Sequence, residues 1–189
     1  EGFRRMTTRL LALAASTRAD SLNKKLLAIA VEHARAAGAT VQELDYAALE
    51  SPIYRDDDSQ PFPEGARRLC DSLRAADGIV IASPEYNWSM PGGLKNLIDW
   101  LSTAKPSPFT GKTALLMCAS PSVRGGILGL NQLSVPLNHL GMYVYPHLVA
   151  IGEANAQLTG GHLGHPKDDA FLAECAADFV RMTERLSHA

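Results

Sequence analysis

Residues 79–82, Ile-Val-Ile-Ala, form an unbroken apolar run that stops at Ser83-Pro84. A strand with one wet face alternates apolar and polar residues, whereas an unbroken run belongs to a strand covered on both faces, the environment of a parallel sheet packed between helices. Residues 8–14 (Thr-Arg-Leu-Leu-Ala-Leu-Ala) and 112–119 read as strands of the same kind, 40–45 as a short second strand, and 142–151 as a fifth. Helical spacing fills the gaps. Leu22, Leu26, Ile29, Ala30 and Ala34 make one stripe, closed by Gly38; residues 64–76 make a second helix. Pro91 opens a third, carrying Leu94, Leu97, Ile98 and Leu101, because a first-turn amide has no helical partner to lose. A fourth helix is expected after Gly126 and a closing one over 168–186. Strand and helix therefore alternate, and parallel neighbours need such crossovers, so a parallel sheet with helices on both faces is expected. The 18 residues of 46–63, with three prolines and Asp56-Asp57-Asp58, read as a long irregular connection whose acidic run is a solvated loop.

The 189 residues suit one domain, expected over 6–189, and residues 1–5 ahead of Met6 are set aside as a foreign remnant. A net charge of -2 gives no basic field for nucleic acid, so an anionic ligand has to be held by local groups. Cys70, Cys118 and Cys175 are odd in number and widely spaced, which argues against a disulfide framework or a zinc site and for free thiols in a reducing compartment. Residues 125–152 lack Asp, Glu, Lys and Arg, yet Asn, Gln, His and Pro interrupt them too often for a membrane span. No signal peptide is evident, and a cytoplasmic protein without a membrane or nucleic-acid partner is expected.

Three polar loops then fall at the carboxyl ends of the strands, where open α/β sheets bind ligands. The first, residues 16–23, gathers the hydroxyls of Ser16, Thr17 and Ser21, the Arg18 guanidinium and the Asn23 amide ahead of a helix, with Asp20 and Ser21 both good caps. Free amides and a partial positive charge at that helix start make a phosphate pocket without a glycine-rich loop. The second, Pro84-Glu85-Tyr86-Asn87-Trp88-Ser89-Met90, is crowded with aromatic and hydrogen-bonding groups and suits a planar ligand. The third is residues 120–126. With strand order 2-1-3-4-5 the switch point lies between the first two loops.

Two of these motifs resemble the NAD(P)H-dependent FMN reductase family, which includes quinone, azo-dye and chromate reductases. Ser16-Thr17-Arg18-Ala19-Asp20-Ser21-Leu22-Asn23 is similar to the family's G-S-x-R-x-x-S-x-N phosphate loop, and Pro84-Glu85-Tyr86-Asn87-Trp88-Ser89-Met90-Pro91-Gly92 to its P-E-Y-N-x-S-x-P-G. Ala15 and Ser122 stand where the family usually has Gly. The resemblance implies a flavodoxin-like three-layer α/β sandwich with a five-stranded parallel sheet, order 2-1-3-4-5. It implies that Ser16, Arg18, Ser21 and Asn23, with the Leu22 amide, hold the FMN phosphate, that Pro84, Glu85, Tyr86 and Asn87 line the isoalloxazine, and that Ser120 and Gly125 close its far side. It further implies ping-pong hydride transfer from NADPH or NADH through FMN to a small acceptor, in a homodimer or homotetramer. The chemistry then belongs to the flavin, and no general acid or base is nominated.

Other chemistries fit worse. Gly111-Lys112-Thr113 lacks the required glycine at Pro106 and precedes a strand rather than opening a helix, so it is no triphosphatase loop. No G-x-S-x-G elbow supports a serine hydrolase. His162 and His165 share a glycine-rich loop without a third ligand nearby, so no metal is assigned. A flavodoxin-like electron carrier or a non-catalytic flavin-binding module stays open as the alternative; a carrier is expected to be more acidic than this chain, and loss of flavin is at odds with the retained motifs.

Overall fold

In the computed structural model, which describes residues 7–57 and 59–187, β1 (Arg9–Ala14) pairs in parallel with β2 (Thr40–Leu44) on one side and β3 (Gly78–Ala82) on the other. The expected domain start at Met6, the remnant 1–5 and Asp58 of the acidic run lie outside the described residues. Next to β3 comes β4 (Thr113–Ala119), and the sheet order is the expected 2-1-3-4-5. The fifth position differs from expectation. Instead of one strand over 142–151 there are two short pieces, β5 (Tyr143–Val144) and β6 (Val149–Ile151), both parallel to β4. Pro146 lies between them and has no N–H to give to a ladder, so the chain leaves the sheet there and rejoins it three residues later.

Side chains alternate across the buried strands and so feed two cores. Leu10, Ala12, Val80, Leu115 and Met117 pack under α1 (Leu22–Ala36) and the long α6 (Pro166–Ser187). Leu11, Leu13, Ile79, Ile81 and Leu116 pack under α2 (Glu64–Ala75), α3 (Gly92–Ser102) and α4 (Ile127–His139). That is a three-layer α/β sandwich. A further turn of helix, α5 (Ala154–Gln157), follows β6.

The connection over 46–63 is more ordered than its composition implies. It opens with a 3-10 turn at Tyr46–Leu49, and α3 then fastens it. Asn96 accepts from the Tyr54 amide at 2.8 Å and donates to the Pro52 carbonyl at 3.0 Å, while the Trp100 indole N–H donates to the same carbonyl at 2.7 Å. These bonds satisfy backbone groups that would otherwise need water.

Loop departure at the carboxyl edge is set by the ladder itself. The amides just past β1, β3 and β4 each reach the neighbouring strand: Ala15 to Ala82 O (2.9 Å), Ser83 to Met117 O (2.8 Å) and Ser120 to Ile151 O (3.0 Å). The three polar loops therefore leave the sheet side by side. At the other edge Asp77 accepts from the Arg9 amide at 2.8 Å and from its guanidinium at 2.9 Å. Burial alone would raise the Asp77 carboxyl, but the Arg9 hydrogen bonds and charge outweigh it and hold the group below its usual range. The stabilisation is therefore present above the ordinary carboxyl pKa and is lost as pH falls through the lowered folded value. Asp77→Asn is expected to cost about 1–2 kcal/mol at neutral pH. Urea unfolding as a function of pH should show the gap to wild type closing below about pH 4.

Candidate functional site

The first two loops meet. Ser16, Arg18, Ser21, Leu22 and Asn23 face Pro84, Glu85, Tyr86 and Ser120 across one open cleft of about 930 Å3. Its base is the start of α1. Ser21 caps that helix, its hydroxyl accepting from the Lys24 amide at 3.4 Å, which leaves the hydroxyl proton free to point outward. Helix geometry leaves the Leu22 and Asn23 amides without helical acceptors. Asp20, the other cap candidate, instead pairs with Lys25.

Asn23 lines the cleft, and its side chain also has a structural role. Its carboxamide donates to the Ala119 carbonyl at 3.1 Å and accepts from the Ala119 amide at 3.0 Å, with the residue only 4% exposed. It ties the helix start to the end of β4 and so fixes where the α1 amides point. Glu85 is likewise committed to structure. Its carboxylate accepts from the Gly129 amide at 2.7 Å, in the first turn of α4, where Gly126 has no side chain to act as the cap. A carboxylate at that place also meets the positive end of the helix dipole. Replacing Glu85 by Ala should lower the thermal midpoint at a cost of about 1 kcal/mol, and Glu85→Gln should restore most of it, since the amide oxygen still accepts.

Behind Glu85 lies Cys118, whose thiol is pushed up to about 12 by burial and is therefore neutral. The Tyr46 phenol, also pushed up to about 12 by burial and by nearby Tyr86, packs at the start of α3. Neither group supplies an anion near neutral pH.

Tyr86 and Ser89 exchange two backbone hydrogen bonds, at 2.8 and 3.0 Å, around Asn87 (φ 50°) and Trp88 (φ 63°). Positive φ at both central positions is the geometry of a type I′ turn. Asn87 tolerates it well, while Trp88 is held there by the flanking pair. The turn lifts Tyr86 (52% exposed) and Trp88 (66% exposed) to the rim.

Two expected site residues do not line the cleft. Asn87 occupies the turn tip, and Gly125 is backed against β6, where a Cβ would lie 2.6 Å from the Ala150 carbonyl carbon. Ser122 has no positive φ, so glycine is not needed there. Among the cleft residues that the motifs did not point to are Lys25, Ala28, Ile29 and Glu32 of α1, and Asn155, Leu158, Thr159 and Gly161 of the segment after β6. For the segment after β6 the available signal was positional, since it also leaves the carboxyl edge of the sheet.

The donor set suits FMN. Its phosphate is an anion, and the base of the cleft offers helix amides, the Ser16 and Ser21 hydroxyls and the Arg18 guanidinium. The carboxylates in the wall are already engaged, Asp20 by Lys25, Glu32 by Arg35 and Glu85 by the Gly129 amide.

Fold and cleft together define a flavodoxin-like protein whose β1–α1 loop opens the cleft. A profile of the NADPH-dependent FMN reductase family matches residues 8–156, and the chain belongs to that family. Among its relatives, a quinone reductase of Escherichia coli (strain K12) is 48% identical over 77 residues, 40% of this chain and 41% of that one. A 2-hydroxy-1,4-benzoquinone reductase of a Burkholderia species is 39% identical over 129 residues, 68% of this chain and 69% of the relative. The chain's match thus spans less than half the length of the E. coli relative. The solved structure of FerB, a flavoenzyme NAD(P)H:(acceptor) oxidoreductase from Paracoccus denitrificans, superposes with a TM-score of 0.81 at 30% identity, covering 95% of this chain and 98% of that one.

Proposed function

We propose that the protein is an FMN-dependent NAD(P)H oxidoreductase that passes reducing equivalents to a small acceptor such as a quinone, an azo compound or a free flavin. The observation that carries this reading is the junction of the α1 start with the Pro84-Glu85-Tyr86 loop in one cleft. When bound, FMN supplies hydride acceptance and delivery. The protein's residues supply the rest. The α1 amides, Ser16, Ser21 and Arg18 hold the phosphate end, and Asn23 and Glu85 lock the two loops that present these groups. Pro84, Tyr86 and Ser120 form the wall against which the ring system rests, and the Tyr86 rim limits water access on one side.

Homo-oligomerisation is part of the reading. Tyr86, Trp88 and Val135 are large apolar side chains left more than half exposed at and beside the rim, and such a cluster is suited to burial against a second copy. We place the protein in the cytoplasm, in keeping with three buried free thiols. No helix among the described residues is long and apolar enough to cross a membrane.

The test is an anaerobic titration of the FMN-loaded protein with NADPH or NADH, followed by turnover with a small quinone. Bleaching of the flavin band and quinone-dependent turnover are expected; bound flavin that does not bleach would instead identify an electron carrier. Arg18→Ala should weaken FMN binding about tenfold to a hundredfold, the worth of one charge-assisted hydrogen bond. Flavin fluorescence quenching measures it, and unchanged retention would remove Arg18 from the phosphate site.

A further inference from the structure

Glu85 brings to the cleft wall a negative charge that no cation answers. The other carboxylates of the cleft are paired, Asp20 with Lys25 and Glu32 with Arg35. Among the described residues Glu85 forms no ion pair. The cations that line the cleft, Arg18 and Lys25, both come from the α1 side, and Lys25 is already held by Asp20. The wall made by Pro84, Glu85, Tyr86 and Ser120 is therefore negative, while the phosphate end is positive.

The hydrogen bond of Glu85 does not neutralise that charge. Oε2 accepts from the Gly129 amide at 2.7 Å, and Oε1 takes no hydrogen bond among the described residues. The amide belongs to the first turn of α4, whose positive end offsets the carboxylate by about half an elementary charge. The surroundings screen the remainder poorly. Glu85 is half-buried, and its stem packs over Gly126 and Gly129, where a Cβ would lie 3.4 and 3.1 Å from it. Behind it stands the neutral Cys118 thiol. That thiol is raised first by burial, lowered by the Glu85 amide and raised again by the Glu85 charge, so the carboxylate is felt one layer into the wall. Charges at such a protein surface interact several times more strongly than in bulk water.

We propose that Glu85 sets the redox poise of the bound flavin, as a fixed negative charge that opposes the charge gained on reduction. The inference rests on the flavin reading of the cleft. A flavin that takes a hydride from the nicotinamide gains two electrons and one proton, hence one unit of negative charge, and the nicotinamide is oxidised by the same two electrons. A carboxylate in the adjoining wall leaves the oxidised ring undisturbed and disfavours the reduced one. It therefore lowers the potential and favours handing the electron pair on to the acceptor. One side chain then has two separable functions: an oxygen that fastens the start of α4, and a charge that acts on the ligand.

The test separates these functions in the FMN-loaded protein, equilibrated anaerobically at neutral pH with a reference dye of known potential. Glu85→Gln keeps an oxygen for the Gly129 amide and removes the charge. Its ratio of reduced to oxidised flavin, at a fixed dye ratio, should rise about tenfold over wild type, the scale of one charge acting across a cleft wall. By linkage the same factor should appear as tighter retention of reduced than of oxidised FMN. Glu85→Asp keeps the charge on a shorter side chain that reaches the amide poorly. It should lower the thermal midpoint and hold the flavin ratio within about twofold of wild type. A purely structural Glu85 gives the reverse pattern, a shifted ratio in the Asp variant and none in the Gln variant. A Gln variant within about twofold of wild type overturns the proposal while the flavin reading stands, and this result decides even if the Asp variant fails to fold. Failure of wild type to bind FMN defeats the flavin reading and this proposal with it.

Discussion

Asn23→Asp is expected to destabilise the protein by about 3 kcal/mol at neutral pH, the scale of a buried charge left without a partner. The substitution is nearly isosteric, so the cost is electronic. The wild-type amide donates to Ala119 O and accepts from Ala119 N. A carboxylate can only accept, so one oxygen would face a carbonyl in a site closed to water. The helix start offsets part of this, by about 0.3–1 kcal/mol. Protonation would restore a donor, so the folded state should favour the acid form and raise its pKa. The sign follows: the variant should approach wild-type stability near pH 4, where the unfolded chain is also protonated, and lose it progressively as pH rises. Urea unfolding between pH 4 and pH 8 measures this directly. A pH-independent deficit would mean that the tie to β4 has another energetic basis.

Gly126→Ala should have a comparable effect for a steric reason. Gly126 has φ 82°, which costs an L-residue about 1–2 kcal/mol. An added Cβ would also press on the Cys118 sulfur and lie 3.1 Å from the Cys118 Cβ. Overpacking of this kind costs about 1–3 kcal/mol more. Because Cys118 also backs the Glu85 loop, the strain should pass into the cleft wall and, on the proposed flavin reading, weaken flavin retention. The double variant Gly126→Ala/Cys118→Ala should recover the packing part of the loss, about 1–2 kcal/mol in a double-mutant cycle, and leave the backbone part. Additive single effects would show that the sulfur yields without cost.

What the sequence made legible was local. Ser21 caps the helix it precedes, Pro91 stands at the start of α3, and the apolar runs at 9–14, 78–82 and 113–119 are the central strands. Each of these features is settled within a few residues, by capping chemistry or by burial on both faces. What was not legible joins distant positions. Asn23 and Ala119 are 96 residues apart, and Glu85 and Gly129 are 44 apart; no spacing rule links them, since only chain closure brings them together. The same holds for Gly125, whose smallness answers to the Ala150 backbone and not to the cleft. The interrupted fifth strand is a different case. Pro146 was visible, but the apolar residues on either side favoured one continuous strand.

The placement of the two tryptophans gives the molecule a pair of built-in optical reporters. Trp100 is 3% exposed, held edge-on by Tyr54 and Phe62 with its N–H on Pro52 O, whereas Trp88 stands in solvent on the rim turn. Their emission should differ in colour, and a water-borne quencher should reach only the rim residue. One label-free spectrum thus separates events at the mouth of the cleft, including contact with a second copy, from loosening of the core.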